Sequence, residues 1–298
     1  MSSYFDNKEL FTGPKTTQYG SHMVMTNVTK TSKTKYVNID TKFRDEYNSN
    51  VTSDYNITLP ERITDVRSIS VTNVEIPMTF FNISENLGNN AMKVGPTAVV
   101  VPDGEYNITT LVAALEARRT ALSLAIVFAV SGTNKISITC SSGTIAIDFG
   151  VDSSGGFAKY NFKSRLGWLM GFRSQTYSIV SSGTATMTSE FLADLSGPRY
   201  LYLVVDEFTG NGNQKSFISP LPSSVINKNI LARIPMNRQI YAFMSILPLS
   251  TDDLLSDVRS YTGKVDIQKL NVQLVNENGI PMNLNGADFS FCLQIEHE

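Results

Sequence analysis

From Tyr36 to Ile295 the chain repeats one pattern: short runs of β-branched and aromatic residues, many apolar at every second position, set between Gly, Pro, Asn, Asp and Ser. A two-residue period sends successive side chains to opposite faces of a strand, so each run buries one face and wets the other. Runs of this kind at short spacing predict an all-β chain, an antiparallel sandwich or barrel. Tyr36–Asp40, Tyr55–Leu59, Val66–Ile76, Ala98–Val101 and Tyr200–Val205 are examples. Ala125–Val130, Lys135–Cys140 and Thr144–Phe149, joined by turns at Ser131–Asn134 and Ser141–Gly143, read as a meander, with Gly143 suited to the positive-φ position of a three-residue hairpin. Near the C-terminus Leu270, Val272 and Leu274 alternate with polar neighbours, as do Phe289, Phe291, Leu293 and Ile295. The turn-rich connection between these two runs predicts that they pair with each other. Tyr200–Val205 is apolar on both faces and is expected to lie deep.

One helix interrupts the strands. Leu111, Val112, Leu115 and Leu122 follow a helical stripe after Thr109 or Thr110, either of which would serve as cap. A second helical turn is expected around Asp252–Val258. No repeat and no Pro/Gly-rich linker divides the strand-rich region, so one sandwich over residues 36–298 is the simplest organisation, with two smaller sandwiches as the alternative. Residues 1–35 differ. They are rich in Ser and Thr, carry Lys8, Lys15, Lys30, Lys33 and Lys35 against Asp6 and Glu9, and show no period of 2 or 3.6. Such a segment buries too little apolar surface to order alone. It reads as an extended arm whose Phe5, Phe11 and Tyr19, with Leu10, Met23 and Met25, would become ordered on a neighbouring chain; a tail with no contacts is the other reading.

Composition excludes several functions. Lys and Arg total 25 against 27 Asp and Glu, so the chain lacks the basic excess of a general nucleic-acid binder. The only cysteines are Cys140 and Cys292 and the only histidines His22 and His297. That leaves no disulfide framework, no zinc spacing and no means of building a Ser-His-Asp or Cys-His site. Met1–Glu9 lacks a secretory signal pattern, and the longest apolar run, Ala121–Val130, is too short to span a bilayer, so a soluble chain is expected. Five Asn-x-Ser/Thr sequences begin at Asn27, Asn50, Asn56, Asn82 and Asn107 and are read as chance. Gly210–Ser216 fails the phosphate-loop spacing because Gln214 stands where Gly is needed before Lys215, so it reads as a hairpin tip. Asp103, Glu105, Asp206 and Glu207 would suit a glycosidase pair or a calcium site only if the fold brought them together, and are read as solvated turn residues. No catalytic residue, cofactor or metal is implied.

Lys30, Lys33, Lys35, Lys42 and Arg44, interleaved with Tyr36 and Phe43, form a basic-aromatic cluster diluted by Asp40, Asp45 and Glu46. It reads as the junction between arm and sandwich, and as a candidate contact to a neighbouring subunit. The same stretch, Tyr36–Asp45, opens an ordered series: Ser53–Pro60, Val66–Ile69, Val74–Pro77, Gly88–Asn90, Pro102–Tyr106, Leu166–Phe172, Tyr200–Leu203, Leu274–Gly286 and Phe289–Phe291. In that order these motifs resemble minor capsid proteins of large icosahedral double-stranded DNA viruses of algae and protists. The resemblance covers most of the chain after the arm, apart from about residues 120–160.

What the resemblance implies is a jelly-roll β-sandwich without catalytic residues, placed in the virion shell and assembled in the host cytoplasm. Its partners would be the major capsid protein, other minor capsid proteins and further copies of itself, with no specific nucleic acid. Both a position beneath the capsomers and a penton position at the fivefold vertices fit, and a glycan-binding or host-attachment sandwich is an alternative of the same fold class, using polar loops such as Thr209–Ser216. Gly167, Trp168, Gly171 and Phe172 are expected to form a core turn and strand, with Pro77 and Gly286 as further structural positions.

Overall fold

The computed structural model describes residues 31–46, 51–132, 134–141, 143–153, 162–181, 183–208, 229–256 and 258–298. In chain order the elements are β1 (Lys33–Asp40), β2 (Asp54–Pro77), β3 (Ala91–Val94), β4 (Thr97–Val100), the helix α1 (Ile108–Ala121), β5 (Ile126–Ser131), β6 (Lys135–Cys140), β7 (Gly143–Asp148), the single-turn helix α2 (Leu166–Leu169), β8 (Thr176–Ser181), β9 (Ala185–Thr188), β10 (Tyr200–Asp206), β11 (Ile230–Pro235), β12 (Ile246–Ser250), β13 (Leu255–Ser256), β14 (Arg259–Val275) and β15 (Ser290–His297). The all-β reading holds: strand dominates and all pairing among named strands is antiparallel.

Among the described residues the largest sheet has eight strands in the order β1-β15-β2-β14-β10-β11-β13, with β12 also on β2. Its spine is β2, 24 residues long, which the sequence reading broke at Pro60. The strand continues because Pro60 lies where the register with β14 slips, between Thr58↔Lys269 and Ile63↔Ile267, so its missing N–H interrupts no ladder pair. Further slips between Val66 and Ser68 add three residues to β14, and bulges of this kind bend and twist a sheet. The halves of β2 accordingly serve different partners, β14 along Asp54–Ile69 and β15 along Val66–Glu75. The sheet curls until Ser256 Oγ joins its two limbs, accepting from the Val71 N–H at 3.4 Å and donating to the Leu231 carbonyl at 3.3 Å. Inside the curl lie Tyr55, Ile57, Ile69, Val74, Leu203, Val272, Phe291, Leu293 and their neighbours, all buried.

A second lobe is inserted between β2 and β10. It holds a four-stranded sheet, β4-β3-β7-β8, and a three-stranded one, β5-β6-β9, around its own buried cluster of Met92, Val99, Leu111, Leu115, Ile138, Phe149, Leu166, Met170 and Phe172. Residues 36–298 thus contain two large hydrophobic clusters, where one sandwich was the simplest expectation.

Several local expectations need correction. The C-terminal runs do not pair with each other; β14 and β15 flank β2 on opposite sides. The meander stops after its first hairpin, because β7 leaves β6 to pair with β8 and β3, and β9 takes the place beside β6. In both cases the alternation told which face is apolar and not which strand lies alongside. The cap of α1 is Asn107, three residues before Thr110, and the two exchange reciprocal side-chain bonds to each other's backbone N–H; Leu122 is the exposed C-cap. Asp252–Val258 holds β13 and no helix among its described residues. Tyr200–Val205 does lie deep, within β10 between β14 and β11.

Candidate functional site

The lobes meet at a polar junction. Arg238 Nη1 donates to both carboxylate oxygens of Glu105 at 2.7 Å, Nη2 donates to the Phe80 carbonyl at 2.8 Å, and the guanidinium lies over the Phe80 ring at 4.6 Å. Beside it, buried Asn82 donates to the Tyr106 and Leu195 carbonyls at 2.7 and 2.8 Å and accepts from the Tyr106 N–H. Asn82 and Asn107, two of the five Asn-x-Ser/Thr asparagines, therefore serve as an interlobe tie and a helix cap.

Next to this junction the β11–β12 connection presents an apolar surface. Ile240 is 70% exposed, Met244 73%, Ile246 63% and Phe243 39%. The connection is fixed rather than merely accessible. Asn237 Oδ1 accepts from the Gln239 and Ile240 N–H groups, Met78 N donates to the Ser245 carbonyl at 2.8 Å, and Met244 N donates to the Met78 carbonyl at 3.0 Å. Phe243 stacks on Phe81 with ring centroids 5.8 Å apart. Met244 has φ +70°, a conformation that costs a bulky side chain roughly 1–3 kcal/mol and persists only where the surroundings impose it. No charged residue occurs between Arg238 and Asp252, and Arg238 is spent on Glu105. Burial-prone side chains, absence of charge and a rigid support are the composition of an interface core. The sequence reading passed over this stretch because it has neither a two-residue nor a helical period; the charge-free interval was the available signal.

Of the expected contact residues, Phe5, Phe11, Tyr19 and Lys30 lie outside the described residues, as do Gly210–Ser216 and the Thr209–Ser216 loop. Lys33 and Lys35 belong to β1 rather than to an arm, and the Lys35 ammonium lies 2.7 Å from Glu61, whose carboxyl it holds below the usual range. Lys42, Tyr36 and Phe43 are exposed. Arg44 is turned inward: its side chain is 9% exposed, and Nη1 donates to the Thr41 carbonyl at 2.8 Å and to Asp288 at 3.3 Å. The proximity of Asp288, brought from 244 residues away, corrects the expectation of a contact cation at this position.

Among the structural positions, Pro77 ends β2 and Gly286 is an exposed turn glycine at φ +78°. Gly167, Gly171 and Phe172 are buried, but in α2 and the turn after it rather than in a turn and strand. Trp168 is only half-buried, since its ring is covered by the Arg173 guanidinium at 4.0 Å instead of sinking among apolar neighbours.

The four carboxylates considered for chemistry are each engaged separately. Asp103 accepts from the Glu85 N–H and Asn90, Glu105 binds Arg238, and Asp206 accepts from the Phe208 N–H. Glu207 departs most from the solvated-turn reading. It is buried and accepts from Arg259 Nη1 at 2.7 Å and from the Tyr261 hydroxyl at 2.5 Å. Arg259 also donates to the Val205 and Asn229 carbonyls, so it ties together the two ends of the β10–β11 connection. Burial, reinforced by Glu207, pushes the Tyr261 phenol far up; burial, reinforced by Asp40, does the same to Tyr55. Among the described residues no group of three or more His, Cys, Asp or Glu is placed to hold a metal ion, and no helix is long and apolar enough to cross a membrane.

No known family profile and no curated protein matches the chain. Among solved structures, a crystal structure of the mavirus penton protein superposes with a TM-score of 0.41 over 89% of this chain and 100% of that one, at 12% identity. A likeness that distant fixes neither fold nor function.

Proposed function

We propose that this chain is a structural subunit of an icosahedral virion: a minor capsid protein, built on a jelly-roll sandwich, that binds and bridges neighbouring capsid subunits and catalyses nothing. The series of motifs from Tyr36–Asp45 to Phe289–Phe291 supports the family, and one observation carries the role. The surface Ile240–Ile246 is apolar, free of charge and held rigid by backbone hydrogen bonds on a sheet scaffold, which suits permanent contact with another protein. Its partners are the major capsid protein, other minor capsid proteins and copies of itself. A penton position at the fivefold vertex satisfies the same surface, and the two placements differ in how many copies surround each symmetry axis. Quantitative proteomics of purified particles should find the chain at a fixed ratio to the major shell protein. Its absence from washed, intact particles would reject the proposal; a particle map then separates bridge from vertex.

A further inference from the structure

The surface at Ile240–Ile246 has a neighbour of opposite charge. At the far end of β12 the turn carries Asp252 and Asp253, both exposed, with Asp253 fixed by bonds from the Ser250 N–H and hydroxyl at 3.2 and 2.9 Å. The surface is therefore an apolar platform with an acidic margin. The complementary sequence occurs in the same chain. From Leu10 to Lys30 there is no carboxylate, while Leu10, Phe11, Tyr19, Met23, Val24 and Met25 are apolar and Lys15 and Lys30 are cationic.

Geometry separates the two ways such a segment could arrive. Lys33 lies opposite His297, which lies opposite Val66, whereas the platform begins where Ile246 meets Pro77. Eleven strand residues separate Val66 from Pro77, roughly 36 Å at strand rise. Because β1 runs from Lys33 toward Asp40, opposite Ser290 and so near Glu75, the chain before Lys33 enters from the end of the sheet remote from the platform. To cover its own platform it would have to double back along the whole sheet. Continuing outward, residues 1–30 reach up to about 100 Å, enough to meet a second molecule.

We infer that the Ile240–Ile246 platform is the seat of residues 10–30 of a second copy of this chain, whose Leu10 and Phe11 cover Ile240, Phe243 and Met244 while its lysines face Asp252 and Asp253. This rests on the reading of the chain as a shell subunit and names the partner of that contact. The full-length protein carrying Phe11→p-benzoyl-phenylalanine, prepared in unlabelled and nitrogen-15 forms and mixed in equal amounts, tests it by photocrosslinking and peptide mass spectrometry. The expected product joins position 11 of one isotope to the 240–246 peptide of the other. The double substitution Ile240→Ser, Met244→Ser should cut its yield by about tenfold or more, the loss of a central anchor, with an unchanged circular dichroism spectrum. Crosslinks confined to like isotopes, crosslinks mapping elsewhere, no crosslink, or a yield indifferent to the double substitution would each overturn the inference. Failure of the shell role shows instead as absence of the chain from particles, whatever the crosslink result.

Discussion

At the scale of single residues, the positions that matter most are those where the backbone or a charge has no alternative. Gly171 sits at φ +94°, and a Cβ there would stand 2.2 Å from the Phe191 carbonyl oxygen. Neither the conformation nor the contact tolerates a side chain, so Gly171→Ala should cost about 2–4 kcal/mol in urea denaturation, beyond an ordinary surface change. Arg259 and Glu207 form a buried pair, 5% and 3% exposed. Arg259→Met leaves a carboxylate buried without its cation and should destabilise by about 3–5 kcal/mol, while adding Glu207→Gln should recover much of the loss. Tyr55 is buried with no hydrogen-bond partner for its hydroxyl, so Tyr55→Phe should be neutral or stabilising by about 1 kcal/mol. The phenols also set a pH dependence. Tyr55 and Tyr261 stay protonated in the folded state, whereas an unfolded tyrosine ionises near pH ~10. Above that pH the unfolded chain binds fewer protons, so stability is full below pH ~10 and falls by about 1.4 kcal/mol per pH unit for each phenol. Denaturation curves at rising pH should show this slope halved in Tyr55→Phe.

At the scale of elements, α1 is set by its first turn. Asn107 and Thr110 satisfy backbone donors that the helix leaves open, so Asn107→Ala should cost about 1 kcal/mol, read as faster amide exchange at Leu111 and Val112. This helix was legible in the sequence from Leu111, Val112 and Leu115, yet its cap was placed two or three residues late, because Thr109 and Thr110 cap as readily as asparagine when only local preference is weighed. The strands show the same division. The alternation in Phe291, Leu293 and Ile295 gave the buried face of β15 correctly, but its partner is β2 rather than β14. Similarly, Ile145 and Ile147 marked the inward face of β7 without indicating that the strand crosses to β8.

At the scale of the whole molecule, two hydrophobic clusters meet through the contacts of Arg238 and Asn82. Arg238→Ala leaves both clusters intact and removes the bidentate bond to Glu105, so amide exchange should rise by about tenfold at the Asn82 and Tyr106 N–H groups, which face that junction, and stay unchanged within β2. Equal acceleration throughout the molecule would show that the tie is not local. The platform at Ile240–Ile246 belongs to this scale too, since it depends on a connection in the first lobe held against Met78 and Phe81 at the start of the second.

The amino-acid order by itself determined that the chain is built from antiparallel strands, which face of each run is apolar, where the helix lies and that Tyr200–Val205 runs deep. These are properties of neighbours in sequence, and a period of two is written locally. The tertiary structure alone decided which strands lie side by side, that Arg44 turns to Asp288 and Glu207 to Arg259, and that the uncharged stretch after Arg238 remains at the surface. Ladder hydrogen bonds join backbone groups common to all residues, so they carry no address; partners are chosen by how all the apolar faces can be covered at once, and that choice exists only in three dimensions.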